Sequence, residues 1–595
     1  MAHTLLDGRP WLRRAASPAL VAAALLLAIA IVNPFREMLP QDDGWSYARM
    51  VQHLLATGQY HLDDWAAANM PTQIYLAAGL SKIFGYSLIL LRCTTVALLA
   101  VALWSLYRLL RELGHTRRMS AGITLVLLAS PLVLLLGFSF QSDVQFLGWL
   151  LLALWLYVRG FRRRSAWNIF FASLAAGCAI GTRQFGIAIV VGLLATWAIK
   201  PSGFRLPLRM LAIAIAAPLV ASAAQVIVGL REPNLTQTYR LYESREMLTF
   251  PAYVLVKEFL WRCFVILQYV GMPFLPLLPA LLAAPSSFWK QRVAGIPLWI
   301  LTLFAAAAII MAVSFPSVIT ARARTRHGLW EPLPLHWELF YNLVRFEHIM
   351  RLLDTAGIIG GTMLAAILFS HLRNVRRLRS LSPELVFLIT TFLGLLVLHL
   401  LYKQLNDTYT TAFLPFALLL VASHLRSVPP PAALFRLSCV LTLASMIVMS
   451  LRMDADYAQQ TATWTAAESL AREGVDPWDI YTVYPWVQYH GAFSQWVAAG
   501  APGYDIHHRE RYPDPLHDPA GHWIWLHEIY APYITSQSAS LDPLPGWRLV
   551  SWVPYRNPAF QKRYVRILER TTAPFGDPFF HLSAPASASP FPRRR

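Results

Sequence analysis

The sequence predicts an all-α polytopic membrane domain of about thirteen transmembrane helices over residues 1–452, followed by a small α+β extracytoplasmic domain over 453–595. Three observations carry that prediction. Of 595 residues, 56% are hydrophobic and only 14% charged, against about 25% charged in an ordinary soluble chain. Apolar runs of spanning length recur up to about residue 452, and arginines gather in alternate connections between them. This composition excludes a soluble enzyme with one or two globular cores. It also excludes a disordered chain, which needs low hydrophobicity.

A spanning helix needs about 20 apolar residues. The candidates are 16–34, 87–110, 119–138, 144–159, 166–182, 185–199, 208–229, 257–284, 296–315, 354–371, 383–402, 410–426 and 432–452, the fifth and sixth reading as one hairpin or a broken pair. Alternate connections hold Arg9, Arg13 and Arg14; Arg108, Arg111, Arg117 and Arg118; Arg159 and Arg162 to Arg164; Lys200, Arg205 and Arg209; Lys290 and Arg292; Arg373, Arg376, Arg377 and Arg379; Arg426 and Arg436. Lys and Arg mark cytoplasmic loops, so the N-terminus is predicted inside and, with an odd count, the C-terminus outside. The first run ends near "AIA", as a cleaved signal peptide would; its removal would spoil the alternation, so it is read as a span. The net charge of +19 is topological on this reading, and no nucleic-acid partner is predicted. Cys93, Cys178, Cys263 and Cys439 each lie in or beside an apolar run, which predicts neither a disulfide framework nor a Cys metal site.

The predicted outer face holds residues 35–86, 230–256, 316–353 and the tail. In the tail, "AQQTATWTAAESLARE" has helical periodicity. "GWRLVSWVPYR" and "KRYVRILER" alternate about an Asn-Pro turn, the pattern of a β-hairpin. The end, "SAPASASPFPRRR", reads as disordered.

Chemistry concentrates in the short outer segments. Asp42 and Asp43 open "DDGWSYARMVQHLLATGQY", whose continuation to about Ala56 reads as an amphipathic interfacial helix with Trp45 and Tyr47 at the belt. An Asp before a helix is also an ordinary N-cap. Asp143 sits in "FSFQSDVQF", a turn of a few residues on the same predicted face, where a cap on the next helix is again the plainer alternative. Two carboxylate sites on one face can supply a general base and a substrate orienter. Arg183 and Gln184 occupy the short turn "GTRQFG". A guanidinium there can grip two phosphate oxygens or simply snorkel to lipid headgroups. Arg322, Arg324, Arg326 and His327, followed by Arg345, run against the outer charge bias, as an anion site or a solvated loop would. Lys403, Asp407 and Tyr409 crowd another short turn. No P-loop, GxGxxG or HExxH occurs. His507, His508 and His517 read as a His-rich soluble surface rather than a metal site.

In this order the motifs resemble the GT-C class of membrane glycosyltransferases. The likeness is to the broad family of protein O-mannosyltransferases, the lipid A aminoarabinose transferase and the RgtA/B/C/D-like enzymes, over roughly residues 16–430. Aligning the acidic motif on Gly58 puts Asp43 at the family's catalytic acid position, with Asp42 its neighbour and Tyr47 four residues on. Pro71, Tyr75, Phe84, Gly85 and Arg92 match the Pro-Tyr and FG-Arg steps, and Asp143 matches the second acidic position. Tyr409 and Pro415 match a late element in which Thr408 stands where the family has Arg.

The resemblance implies transfer of a hexosyl or pentosyl group from a polyprenyl-phosphate donor to a lipid, glycan or protein acceptor. The reaction would lie outside a bacterial inner membrane. It implies Asp43, Asp42 and Asp143 as catalytic acids. Arg183, Arg322, Arg324, Arg326 and Lys403 would contact the donor phosphate, and Tyr47, Tyr75, Gln184 and Tyr409 the substrate. No cofactor is required and no metal is predicted, although the acids would accept a divalent ion. The rival readings are a lipid-linked-sugar flippase, which would need polar midplane sites, and a non-catalytic protein whose outer tail binds glycans.

Overall fold

The computed structural model describes residues 10–37, 43–66, 68–204, 206–231, 245, 249, 251–283, 357–368, 381–402, 407–477, 480–481, 486, 489–490, 533–538, 547–556 and 562–571. The chain divides into two compact units, Met1–Tyr457 and Ala458–Arg595.

The described part of the first unit is helical. Its first ten helices are α1 (Pro10–Val32), α2 (Gly44–Thr57), α3 (Pro71–Phe84), α4 (Leu88–Glu112), α5 (Arg117–Ala129), α6 (Pro131–Gly137), α7 (Ser142–Arg163), α8 (Ala166–Thr182), α9 (Ala188–Ile199) and α10 (Leu208–Arg231). Later helices are Ala252–Gly271, Leu278–Leu282, Gly357–Leu368, Pro383–Leu401, Leu414–Ser427 and Ala432–Arg472. Among the described residues, seven helical stretches are long and apolar enough to cross a membrane, or eight if α5 and α6 count as one. Shorter apolar helices cover Ser17–Val32, Ala166–Thr182, Gln184–Ile199 and Gly357–Leu368. Helix is found within each expected span except 296–315, which lies outside the described residues; 119–138 and 257–284 are each broken into more than one piece, and 354–371 is described only over 357–368.

Local chemistry sets the boundaries. Ser87, Thr116 and Ser165 cap α4, α5 and α8 by accepting from Leu90, Met119 and Asn168 N–H groups. Gly58 closes α2 at φ +73°, a left-handed cap that glycine adopts without strain. The expected span 119–138 is not one helix: α5 and α6 meet at 69°. Pro131 holds Ser130 extended, at ψ 124°, and a helix cannot continue through that residue.

The core is laid down by α7, which packs on α4 and α8, with α8 in turn against α10. Polar links pin these apolar surfaces in register. Gln145 Nε2 donates to Thr95 Oγ1 at 2.9 Å, and Tyr157 OH to Ala214 O at 2.7 Å. Asn69 and Gln225 exchange side-chain-to-backbone bonds of 3.0 and 2.9 Å, fixing the start of α3 to α10. Arg92, 3% exposed, donates to Pro34 O and Arg36 O beyond the end of α1. Arg36 in turn pairs with Asp454 at 2.5 Å.

The second unit begins within the helix Ala432–Arg472, which runs on past the expected end at 452 and includes the predicted tail helix. Its sheet has the order β1 (Ile480–Tyr481), β2 (Tyr533–Ser538), β4 (Lys562–Arg570), β3 (Trp547–Arg556). β1 runs parallel to β2 and the other pairs are antiparallel. The expected hairpin strands are β3 and β4, paired from Trp547↔Arg570 to Arg556↔Lys562 with an irregularity at Leu549/Ser551. Val565, Ile567 and Leu568 of β4 are fully buried. The predicted disordered end lies outside the described residues.

Candidate active site

Asp43 stands one residue before α2, yet its carboxylate makes no cap bond to the helix. Oδ1 instead accepts from the indole Nε1 of Trp65 at 2.6 Å. Trp65 is itself held: its backbone N–H donates to Asp63 Oδ1 at 3.1 Å, and its ring lies 5.9 Å from that of Trp45. Asp63, only 4% exposed, also accepts from Ser46 Oγ at 3.0 Å and stands 3.7 Å from Arg49 Nε. Burial pushes the Asp63 carboxyl above its ordinary value; Arg49, the Trp65 N–H, Ser46 and His61 act the other way. Burial, then the neighbouring Asp63 charge, also raises Asp64.

Asp143 and Arg183 meet as a buried pair. Arg183 Nη2 donates to Asp143 Oδ2 at 2.8 Å and Nε to Ser142 Oγ at 2.9 Å. Their exposures are 9% for Arg183 and 2% for Asp143. The N-cap of α7 is Gln141, so Asp143 lies in the helix's first turn rather than at its cap. The edge of the guanidinium that could grip two phosphate oxygens is thus engaged within the protein. A buried cation without a counter-charge is costly, and Asp143 supplies that charge. The guanidinium also lies 4.7 Å over the Tyr409 ring. Asp43 and Tyr47 are within its electrostatic reach. Residues 43, 47, 143, 183 and 409, far apart in sequence, therefore converge around one guanidinium.

An aromatic wall continues from Tyr409. Phe185 stacks on His399 at 4.0 Å, and Tyr409 and Phe413 meet the His399 ring edge-on. His399 Nδ1 lies 2.7 Å from Leu395 O; a carbonyl only accepts, so Nδ1 carries the proton. His399 Nε2 and Asp143 Oδ1 are both buried with no hydrogen-bond partner among the described residues. Each orphan costs about 1–3 kcal/mol, and such atoms in a folded protein call for an explanation.

Of the other predicted residues, the described ones, Tyr75, Gln184 and Arg92, lie apart from this cluster. Tyr75 is 54% exposed on α3 and stacks on Tyr60 at 5.9 Å. Gln184 is exposed at the start of the 3-10 turn Gln184–Ile187. Arg92 serves backbone carbonyls. Asp42, Arg322, Arg324, Arg326, His327, Arg345, Lys403 and the His507–His517 group lie outside the described residues, as does the side chain of Asp407. No group of three His, Cys, Asp or Glu placed to hold a metal ion occurs among the described residues.

Sequence reading missed Asp63, Trp65, Ser142 and His399. The signal for the first two was present: "DDW" at 63–65 repeats the acidic-aromatic pattern of "DDGW" at 42–45. His399 was legible as an ionisable residue inside an apolar span, which is a functional hypothesis by default.

Residues 69–224 match the family model described as dolichyl-phosphate-mannose-protein mannosyltransferase. No protein of curated function matches the chain. Among solved structures it is similar to the archaeal oligosaccharyltransferase AglB of Archaeoglobus fulgidus, in complex with an inhibitory peptide and a dolichol-phosphate. That match has 13% identity and TM-score 0.39, covering 88% of this chain and 64% of that one. It is similar to apo ArnT of Cupriavidus metallidurans at 14% identity and TM-score 0.37, covering 94% and 98% of the two chains. Arabinosyltransferase EmbB of Mycobacterium smegmatis matches at 16% identity and TM-score 0.32, over 76% of this chain and 42% of that one. Scores this low make these general likenesses, and the chain spans about two thirds of the oligosaccharyltransferase's length. The family match is the firmer finding. It covers Tyr75, Asp143 and Arg183 and about a quarter of the chain.

Proposed function

We propose that the protein transfers a sugar from a polyprenyl-phosphate donor to the hydroxyl of a lipid, glycan or protein acceptor, on the non-cytoplasmic side of a thirteen-span membrane domain. One observation carries the reading: Asp43 and Tyr47, the Asp143–Arg183 pair and Tyr409 gather at one place from distant parts of the chain. The family match over 69–224 supports the donor class, and the arginine alternation supports the orientation.

In this mechanism the acceptor hydroxyl gives its proton to the Asp43 carboxylate while its oxygen attacks the anomeric carbon. The bond from that carbon to the phosphate oxygen breaks, and polyprenyl phosphate leaves. Inversion at the anomeric carbon follows from the family resemblance. Arg183, held by Ser142 and Asp143, turns Nη1 to the departing phosphate. Asp143 sets the direction of Arg183 and offers Oδ1 to the acceptor. Tyr47, Tyr75, Gln184 and Tyr409 contact the substrates. Asp42, Lys403 and Arg322, Arg324 and Arg326 complete the acidic and cationic sets. No metal is needed, because phosphate is a competent leaving group without one.

The test is release of undecaprenyl phosphate from an undecaprenyl-phosphate-linked sugar by the purified full chain in nanodiscs, with acceptor added. Asp43→Asn keeps the shape and removes the base, so turnover falls about 100-fold or more, and Asp42→Asn costs less. Full turnover in Asp43→Asn, with loss in Asp42→Asn, moves the base by one residue. Full turnover in both ends the assignment.

A further inference from the structure

We propose that Asp63 and Trp65 are a positioning pair that aims Asp43 for proton abstraction. The inference rests on Asp43 being the base of the transfer proposed above. A carboxylate on its own turns easily about its last bond, whose torsion is broad. At the head of a helix its usual partners are the backbone N–H groups of the first turn. Asp43 occupies that place and bonds none of them with its side chain. The donor it takes is the Trp65 indole, at 2.6 Å, from 22 residues further along.

That donor has one N–H, rigidly fixed in the ring plane, so the ring's position dictates the carboxylate's. Two anchors set the ring. Its backbone N–H is bound to Asp63 Oδ1, and its ring lies tilted against that of Trp45, two residues from Asp43 itself. Asp63 is in turn fastened to α2 by Ser46 and Arg49, which face it from positions three apart on the helix. The loop is therefore buttoned to the helix that carries the base, and Oδ1 is committed to the indole. The proton goes to the other oxygen, Oδ2. Arg183, paired with Asp143, is within electrostatic reach of both Asp43 and Tyr47. Burying a carboxylate such as Asp63 is costly, and holding the Trp65 backbone is the function that accounts for it.

Trp65→Phe keeps an aromatic ring against Trp45 and removes only the N–H. The expected result is a kcat lower by about 10-fold or more, the loss of one charge-assisted hydrogen bond. KM for undecaprenyl-phosphate sugar should stay within about 2-fold, as for an interaction felt in the chemical step. In an Asp43→Asn background the same substitution should cost nothing further, because the group it aims is gone. Asp63→Asn keeps an acceptor for the Trp65 N–H and should stay near wild type, whereas Asp63→Ala should repeat the Trp65→Phe loss. If Trp65→Phe is misfolded by its unfolding midpoint, Trp65→His, which retains a ring N–H, is compared with Asp63→Ala by the same kcat. An unchanged kcat in Trp65→Phe or Asp63→Ala overturns the pair, as does a loss in KM alone, or a full further loss on top of Asp43→Asn. If Asp43→Asn itself transfers at the wild-type rate, the base assignment has failed and takes the pair with it. If only Asp43→Asn fails to transfer, the base stands and the pair alone is wrong.

Discussion

Arg183 and Asp143 were each legible as residues, since a charged side chain in a very short turn stands out from apolar surroundings. Their pairing was not legible: they are 40 positions apart, and nothing in either turn announces the other. The pairing changes what substitution should do. Arg183→Ala leaves the Asp143 carboxylate, 2% exposed, without its counter-charge, which typically costs about 3–5 kcal/mol. A large fall in unfolding midpoint in detergent is expected, and Asp143→Ala added to Arg183→Ala should recover much of it. Arg183→Lys keeps the charge but cannot serve Ser142 and Asp143 together, so donor use should recover only in part. Full stability in Arg183→Ala would mean that the pair contributes little and the arginine is reserved for ligand. Asp63 and Trp65 escaped notice for a similar reason. Their pattern sits in the sequence beside the better-known one, but only the folded loop brings the indole to Asp43.

At the scale of elements, periodicity and capping residues located the helices well, because spanning runs are long and their caps are Ser, Thr, Pro and Gly. Breaks inside runs were harder to see. The 69° bend at Ser130–Pro131 comes from a single residue held extended, and an apolar stretch looks continuous across it. Helix crossings were also hidden. A Cβ on Gly148 would lie 2.7 Å from the backbone Leu98 O of α4, a carbonyl that cannot swing away as a side chain can. Gly148→Ala should therefore push α4 and α7 apart and cost about 1–3 kcal/mol, read as a lower unfolding midpoint. Gly79, on α3, has nothing within 4 Å of a built Cβ. Gly79→Ala should hold or raise the midpoint, by up to about 1 kcal/mol of helix propensity. Equal midpoints for the two variants would show the α4–α7 crossing to be compliant.

For the whole molecule, alternating arginines gave the sequence a membrane plan, and helices occupy every expected span within the described residues. The sheet of the second unit was half legible. The alternating strands β3 and β4 were seen, whereas the two-residue β1 is too short to leave a pattern. One connection also couples global stability to pH. His115, 5% exposed between α4 and α5, is pushed down to about 4, first by burial and then by Arg426 and Arg111. The unfolded chain takes up this proton near pH 6.5 and the folded chain only near 4. The stabilisation is thus complete above pH 6.5 and is lost as pH falls toward 4. Wild-type stability should decline through that window more steeply than that of His115→Gln. Parallel declines would assign the acid sensitivity to other groups.

The bonds that fasten the first loop and its helices also set a timetable for biosynthesis. Asn69 must wait for Gln225, 156 residues later, which at roughly 5–20 residues per second is about 8–30 s of translation. Arg36 must wait 418 residues for Asp454, about 20–80 s at the same pace. Until then α3 has emerged without the partner that fixes its start, and the segment after α1 without its ion-pair partner. A nascent chain stalled before residue 225 carries Asp43, Asp143 and Arg183 but lacks Tyr409 and the anchor of α3.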